Sequence, residues 1–308
     1  MSKVLAITQE RVATNANARA SQVIRSESVK KWCIRLLFLV VVLGSWQLAA
    51  TIKLVNPMFT GMPTIIARRF ASLLMDKHFL ADDVLLTVEE TVSGYILGVV
   101  LGIGVAVAFV KYRAIEAALS PIFAGVNSLP RVALAPIFVT WFGLGLVSRS
   151  AVAVTLVFFI MVSNTVAGFT QADRDLQLLA RSLGANDRQW FLKFLLPGAI
   201  PAIASGLQLG LVFAFLGTVA AELLGGAYGV GAVLSLDASA FKTNSYFAVL
   251  VVLGLVSTIL SLAIGKVTHA MMGWQDIESG NGKVKGKRGG LGRKLWKGSH
   301  MEVPVGEM

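Results

Sequence analysis

The sequence has little of what enzymes, metalloproteins and disulfide-rich proteins need. It contains one cysteine, Cys33, and three histidines, at positions 78, 269 and 300, that lie far apart. A lone cysteine excludes an internal disulfide, and this histidine spacing gives no local metal site. A G-x-x-x-x-G-K-[ST] phosphate loop and a G-x-S-x-G nucleophile motif are also absent. We therefore expect no catalytic residue, no metal and no cofactor in this chain, and no ATP hydrolysis by it alone.

Acidic residues are scarce, and charged residues of both signs make up little of the chain. The 308 residues are 15% charged and 55% hydrophobic, with 17 acidic against 28 basic side chains and a net charge of +11. The mean hydropathy is +0.71. This composition is too apolar for an ordinary soluble domain. It indicates an integral membrane protein.

About six apolar segments are long enough to cross a bilayer, since a helical span needs about 20 mainly apolar residues. They cover Cys33–Ile52, Thr91–Val110, Leu119–Phe142, Ser150–Phe169, Gly198–Leu224 and Tyr246–Thr268. Such a pattern predicts an all-α membrane domain over residues 31–275. Polar tails cover residues 1–30 and 276–308.

Basic residues cluster in segments that fall on one side of a six-span protein. These segments are the N-terminal tail, the loop after the second span with Lys111 and Arg113, the central loop, and the tail after Lys266. Positive residues near span ends stay in the cytoplasm, which places both termini and the central loop there, although the outer loop also carries Lys53 and Lys77. The basic C-terminal tail favours anionic lipid, at about 1 kcal/mol per residue, over nucleic acid.

The central polar stretch, residues 173–201, carries a helix pattern of its own between two spans. Asp173 is a candidate cap for a first helix, and Gly184 is placed to end it with a positive φ. Asn186 and Gln189 form a weak capping-box signal for a second helix. That helix should end before Pro197. The stretch therefore predicts a helix, a glycine turn and a helix.

The spacing within this stretch resembles the EAA loop of ATP-binding-cassette (ABC) importer permeases. The motif positions fall on Leu178, Leu179, Ala180, Gly184, Phe194, Leu196 and Pro197. Leu178 stands where the family often has glutamate, and Phe194 replaces isoleucine. The resemblance implies a type I importer permease fold in which residues 173–197, hereafter the coupling loop, insert into a separate ATPase subunit. It also implies two ATPase copies, an extracytoplasmic solute-binding protein, a second permease copy in a homodimer, and location in a prokaryotic inner membrane.

The third predicted span carries Pro130, Arg131 and Pro136 and continues into the corner Trp141-Phe142-Gly143-Leu144-Gly145. This run is similar to the sulfonate, taurine and nitrate branch of these permeases. Prolines in a span favour a buried or pore-lining helix. An intramembrane arginine is a functional-site hypothesis, and Arg131 would favour an anionic or zwitterionic solute. Snorkelling toward the cytosolic face or bracing a neighbouring span is an equal alternative. Glu90 stands where many sulfonate-type members have arginine, so pyrimidine or flavin-like solutes stay open.

The fifth span ends near Glu222, which we place with Arg131, Pro130 and Pro136 as candidates for the translocation path. A hydrated carboxylate at a helix end is the more common situation for such a glutamate. In the second span, Gly94, Gly98 and Gly102 form a small-residue stripe that predicts close helix packing. An ion-coupled transporter would usually show repeated halves and midplane carboxylates; neither is evident. A membrane scaffold without transport would not explain the central loop.

Overall fold

A computed structural model describes residues 30–171, 178, 180 and 182–272, and it is helical with no strand among these residues. This confirms the predicted all-α membrane fold. The two predicted tails lie outside the described residues, apart from Lys30. In chain order the helices are α1 Lys30–Thr51, α2 Pro57–Thr60, α3 Pro63–Met75, α4 Phe79–Lys111, α5 Arg113–Asn127, α6 Arg131–Phe142, α7 Leu146–Thr170, α8 Asp187–Gly225, α9 Val230–Ser239 and α10 Thr243–Met271.

Five helices, α1, α4, α7, α8 and α10, are long and apolar enough to cross a membrane. The sixth predicted span, residues 119–142, is not a straight helix, because α5 and α6 meet at an angle of 85°. The break follows Asn127, and Pro130 precedes the 3-10 turn that opens α6. Proline cannot donate a backbone hydrogen bond and disfavours helix at the preceding residue. The predicted span is therefore bent rather than straight, and it brings the number of candidate spans to six if the pair is counted as one.

Helices α4, α7 and α8 form the centre of the bundle, and the glycine stripe explains how closely α4 and α7 approach. A Cβ built on Gly94, Gly98 or Gly102 would lie 2.7, 2.7 or 2.6 Å from the Cβ of the α7 residue it faces. No real Cβ fits at that distance, so the stripe sets the helix separation and the predicted packing role is confirmed. The Tyr95 hydroxyl donates to the Leu207 carbonyl at 3.0 Å and ties α4 to α8.

Two span boundaries differ from prediction. The second span begins at Phe79 rather than Thr91, so Glu89 and Glu90 lie inside a continuous helix. The fifth span does not start after a separate loop helix, because α8 runs without a gap from Asp187 to Gly225. In the second span the polar Glu90 suggested a helix end, but it pairs with Arg149 inside the bundle. In the fifth span Pro197 suggested a helix end, but the π-helical segment before it lets the helix continue.

A second apolar cluster lies at one end of the bundle, where α3, α9 and α10 pack together. Its buried members include Leu73, Leu234 and Val249. Helix α1 packs little against the rest of the chain, since only 6% of its most apolar window is buried, against 50% for α7. Most of the α1 surface is therefore available to lipid or another subunit.

Candidate functional site

The described part of the coupling loop turns at Gly184, which has φ +74. The Ala185 amide donates to the Ala180 carbonyl at 3.0 Å and closes the end of the preceding helical turn. Positive φ favours glycine at the residue after a helix. The predicted glycine turn is therefore confirmed. Asp173 and Leu179 lie outside the described residues.

The second half of the loop begins with a complete capping box. The Gln189 amide donates to the Asn186 side chain at 2.8 Å, and the Asn186 amide donates to the Gln189 side chain at 3.0 Å. Two amides that the helix itself cannot satisfy thus find partners. Trp190 and Phe194 stack with centroids 5.7 Å apart. The predicted helix start at Asn186 is confirmed.

The loop helix does not end before Pro197, as expected from sequence, but continues into α8. Residues Phe191–Leu195 form a π-helical segment, in which the Leu196 amide donates to the Phe191 carbonyl. The wider turn accommodates a proline that would clash in a regular α-helix. Leu195 is buried, and the Phe191 ring lies 5.7 Å from Phe169 of α7. The loop is thereby attached firmly to the bundle.

Some apolar side chains of the coupling loop are buried and others are exposed to solvent. Ala180 is only 1% exposed, whereas Leu178 and Leu183 are 65% and 73% exposed. Phe194, Leu196 and Pro197 are half-buried. An exposed pair of leucines on a short polar segment offers apolar surface to a partner.

The break between α5 and α6 places Arg131 in contact with Phe159 and Asn127. Its guanidinium carbon lies 4.4 Å above the Phe159 ring of α7, and Nη2 donates to the Asn127 carbonyl at 2.9 Å. The ring contact holds the broken span against α7, and the hydrogen bond links its two halves. Pro130 precedes the 3-10 turn and Pro136 occupies the first turn of the following α-helix, where a missing amide costs nothing.

At the end of α8 remote from the coupling loop, Glu222 is fully buried. This corrects the expectation of a hydrated carboxylate. Thr87 of α4 donates to Glu222 Oε1 at 2.7 Å, and the Gly231 amide donates to Oε2 at 2.7 Å. Gly229, with φ +100, leaves room for the carboxylate, since a Cβ there would lie 2.4 Å from Oε1.

Two more charges complete what we term the charge cluster: Glu90, Arg149 and Glu222. Glu90 is fully buried and Arg149 is 7% exposed, and Arg149 Nη2 lies 2.9 Å from Glu90 Oε1. The Glu222 carboxyl is close enough to interact with both. Arg149 also donates through Nη1 to the Tyr228 carbonyl at 2.8 Å. The cluster thus joins α4, α7 and α8 to the segment before α9.

Residues 98–276, more than half of the chain, match the family of binding-protein-dependent transport system inner membrane components. The chain belongs to this family. The protein is thus the inner-membrane permease of an ABC importer. A separate subunit hydrolyses ATP, and a binding protein is a partner. The predicted resemblance is confirmed, and the ion-coupled and scaffold alternatives are set aside.

Proteins similar to the permease are named as permeases for several different solutes. It is 29% identical over 252 residues to the putative aliphatic sulfonates permease SsuC of Bacillus subtilis, covering 81% of this chain and 90% of the relative. Identity to the riboflavin permease RibX of Chloroflexus aurantiacus is 29% over 241 residues, covering 77% and 88%. Identity to the formylaminopyrimidine permease ThiX of Halalkalibacterium halodurans is 28% over 239 residues, covering 78% and 94%.

Among solved structures, a chain of the inward-facing MetNI methionine ABC transporter superposes with a TM-score of 0.54 at 19% identity. The superposition covers 61% of the permease and 94% of that chain. This likeness confirms the predicted importer-permease fold.

Sequence reasoning missed Arg149 altogether, because the fourth span was taken to begin one residue after it. A signal was present: Arg149 is flanked by Ser148 and Ser150 directly before a long apolar run, while Glu90 and Glu222 lie in other apolar segments. Buried charges in membranes usually pair with one another. An unmatched arginine and two unmatched glutamates could therefore have been assigned to one site.

Proposed function

We propose that the permease works as a homodimer with two ATPase subunits and moves a small anionic or zwitterionic solute received from its binding protein. ATP is used only by the ATPase, and both termini and the coupling loop face the cytoplasm. One observation carries the mechanical part: the coupling loop continues without a gap into α8, which ends at the charge cluster.

Displacement of the loop by the ATPase is then passed along one helix to the opposite end of the bundle. From Asp187 to Glu222 the distance is about 50 Å at 1.5 Å per residue. The capping box and the Gly184 turn fix the conformation of the loop. The ATPase can therefore bind a defined surface and displace it. Leu178 and Leu183 supply the apolar contacts of that surface, Gly184 permits close approach, and the buried Ala180 packs on the inner side of the loop.

The solute class rests on Arg131 and on the relatives. Arg131 carries positive charge at the broken span, which favours an anionic group such as a sulfonate, taurine or nitrate. A pyrimidine or flavin-like solute is the second candidate, supported by the similar identities to RibX and ThiX. A thermal-shift panel on the cognate binding protein, with sulfonates, taurine, nitrate, pyrimidines and flavins, separates the two. Stabilisation by flavins or pyrimidines alone overturns the first assignment.

The coupling proposal is tested with Leu183→Asp in the assembled importer. Burying a leucine is worth about 1.5–3 kcal/mol, so we expect the ATPase to bind about 10- to 100-fold more weakly. Substrate-stimulated uptake in proteoliposomes should fall with it. Ser182→Asp, at the exposed neighbouring position, is the matched control and should retain both activities. Unchanged ATPase affinity and uptake in Leu183→Asp would refute the docking surface.

A further inference from the structure

A cavity of about 460 Å³ lies at the end of the bundle away from the coupling loop, between α2, α3 and the turn that joins α9 to α10. The geometry points to a binding site for a zwitterion that joins a primary ammonium to a phosphate or sulfonate group. The groups that would recognise it are the Asp237 carboxylate and the side chains of Arg69 and Lys242, which all line this cavity.

Asp237 supplies the site for the ammonium. The residue is only 8% exposed, and its Oδ2 atom is buried with no hydrogen-bond partner among the described residues. Buried carboxylate oxygens are normally paired, because an unpaired one loses its hydration without compensation. A ligand with N–H donors would supply the missing partner.

Arg69 and Lys242 supply the site for the anionic group. Within the described residues neither forms an ion pair with Asp237, although all line one cavity. To the part of the chain that the structure describes, Arg69 makes only long hydrogen bonds, from Nε to the Ser245 hydroxyl at 3.4 Å and from Nη1 to the Ser72 hydroxyl at 3.5 Å. The basic side chains and the Asp237 carboxylate thus line the same cavity without pairing with each other among the described residues. A zwitterion would contact both, whereas a simple anion or cation would leave one unsatisfied.

The cavity mouth has the character of a lipid headgroup region. Helix α1 ends at Thr51, shortly before the cavity wall, and α10 begins in the wall at Thr243. Two exposed rings, Phe59 and Phe241, meet edge to face there at 6.3 Å. Phe241 has φ +53, a conformation that is costly for a residue other than glycine and recurs at ligand clamps. Aromatic residues favour the membrane interface.

Phosphatidylethanolamine has the required headgroup, and free phosphoethanolamine has the same chemistry in soluble form. Phosphatidylcholine is the informative comparison, because its quaternary ammonium carries no hydrogen to donate to Asp237. A charge-assisted hydrogen bond of this kind corresponds to about tenfold or more in affinity. The wild-type permease should therefore prefer phosphatidylethanolamine by at least that factor.

The preference is measured by native mass spectrometry on the delipidated, full-length permease titrated with each lipid. Asp237→Asn, which is close in shape, should abolish the preference, while Asp82→Asn, at an exposed position outside the cavity, should keep it. Arg69→Gln should weaken the binding of both lipids several-fold. Arg68→Gln, a substitution of the adjacent residue outside the cavity lining, should leave the binding of both lipids unchanged.

Equal affinity of the wild type for both lipids overturns the proposal, as does a preference that survives in Asp237→Asn. Thermal unfolding of each variant without lipid shows that the fold is intact, and Lys242→Gln provides a second loss of the anion site. Competition by free phosphoethanolamine identifies a soluble ligand; retention of phosphatidylethanolamine in its presence identifies the lipid. Both results support the zwitterion site, and they differ only in its source.

Discussion

Removal of the arginine from the charge cluster should destabilise the permease more than removal of either glutamate. Arg149→Gln leaves Glu90 and Glu222 buried side by side with no cation, whereas Glu90→Gln leaves an oppositely charged pair. Two backbone carbonyls, of Gly145 and Tyr228, also lose a charged donor. The order of stability should be wild type, then Glu90→Gln, then Arg149→Gln.

The magnitude follows from the burial of the pair. Breaking a buried ion pair by removing one partner costs about 3–5 kcal/mol, because the remaining charge is uncompensated. For a domain of 150–250 residues each kcal/mol lowers the melting temperature by about 2–4 °C. Arg149→Gln should therefore melt about 10 °C below the wild type in detergent. The double variant Glu90→Gln with Arg149→Gln carries one less buried charge and should recover part of this loss.

Melting curves of the purified permease, followed by intrinsic tryptophan fluorescence, measure all four proteins. Arg113→Gln is the matched control, since Arg113 is exposed at the start of α5, and it should melt with the wild type. A melting temperature for Arg149→Gln within about 2 °C of wild type, or a double variant less stable than Arg149→Gln, would show that the cluster contributes little to stability.

Other perturbations test local features. Gly229→Ala should lower the free energy of unfolding by about 1–3 kcal/mol, because its Cβ would meet the Glu222 carboxylate and φ there is +100. A melting temperature equal to that of Gly104→Ala, where a Cβ would meet no atom of the described residues within 4 Å, would contradict this. Gly98→Val should force α4 from α7 and reduce the folded yield in detergent, with Gly104→Val unaffected; equal yields would argue against the stripe. Asn186→Ala should cost about 1 kcal/mol through loss of the capping box, seen as faster proteolysis of the loop, whereas unchanged proteolysis would mean that the cap is dispensable.

Local features of the fold could be read from the sequence because their causes lie within a few residues. The capping box needs only Asn186 and Gln189, the turn needs only Gly184, and the glycine stripe needs only a four-residue spacing. The family motif likewise depends on short spacing. The capping box, the turn and the stripe were predicted with the right residues.

Features that depend on distant partners could not be read in the same way. Pro197 predicts a helix end, but the π-helical segment at Phe191–Leu195 accepts it, and packing of Leu195 decides between the two outcomes. Glu90 and Glu222 look like span ends until Arg149, which comes from another helix, is known to pair with Glu90. Polarity alone does not separate a hydrated carboxylate from a paired one.

The glycine contacts between α4 and α7 also restrict how the transporter can change shape. Because Cβ atoms of α7 pack directly against the glycine backbone of α4, these two helices have no free space in which to slide or rotate against each other. We expect alternating access to move this pair together as one unit. Relative movement is then left to the less tightly packed helices: α1, with 6% of its most apolar window buried, and α5, which has no buried residue.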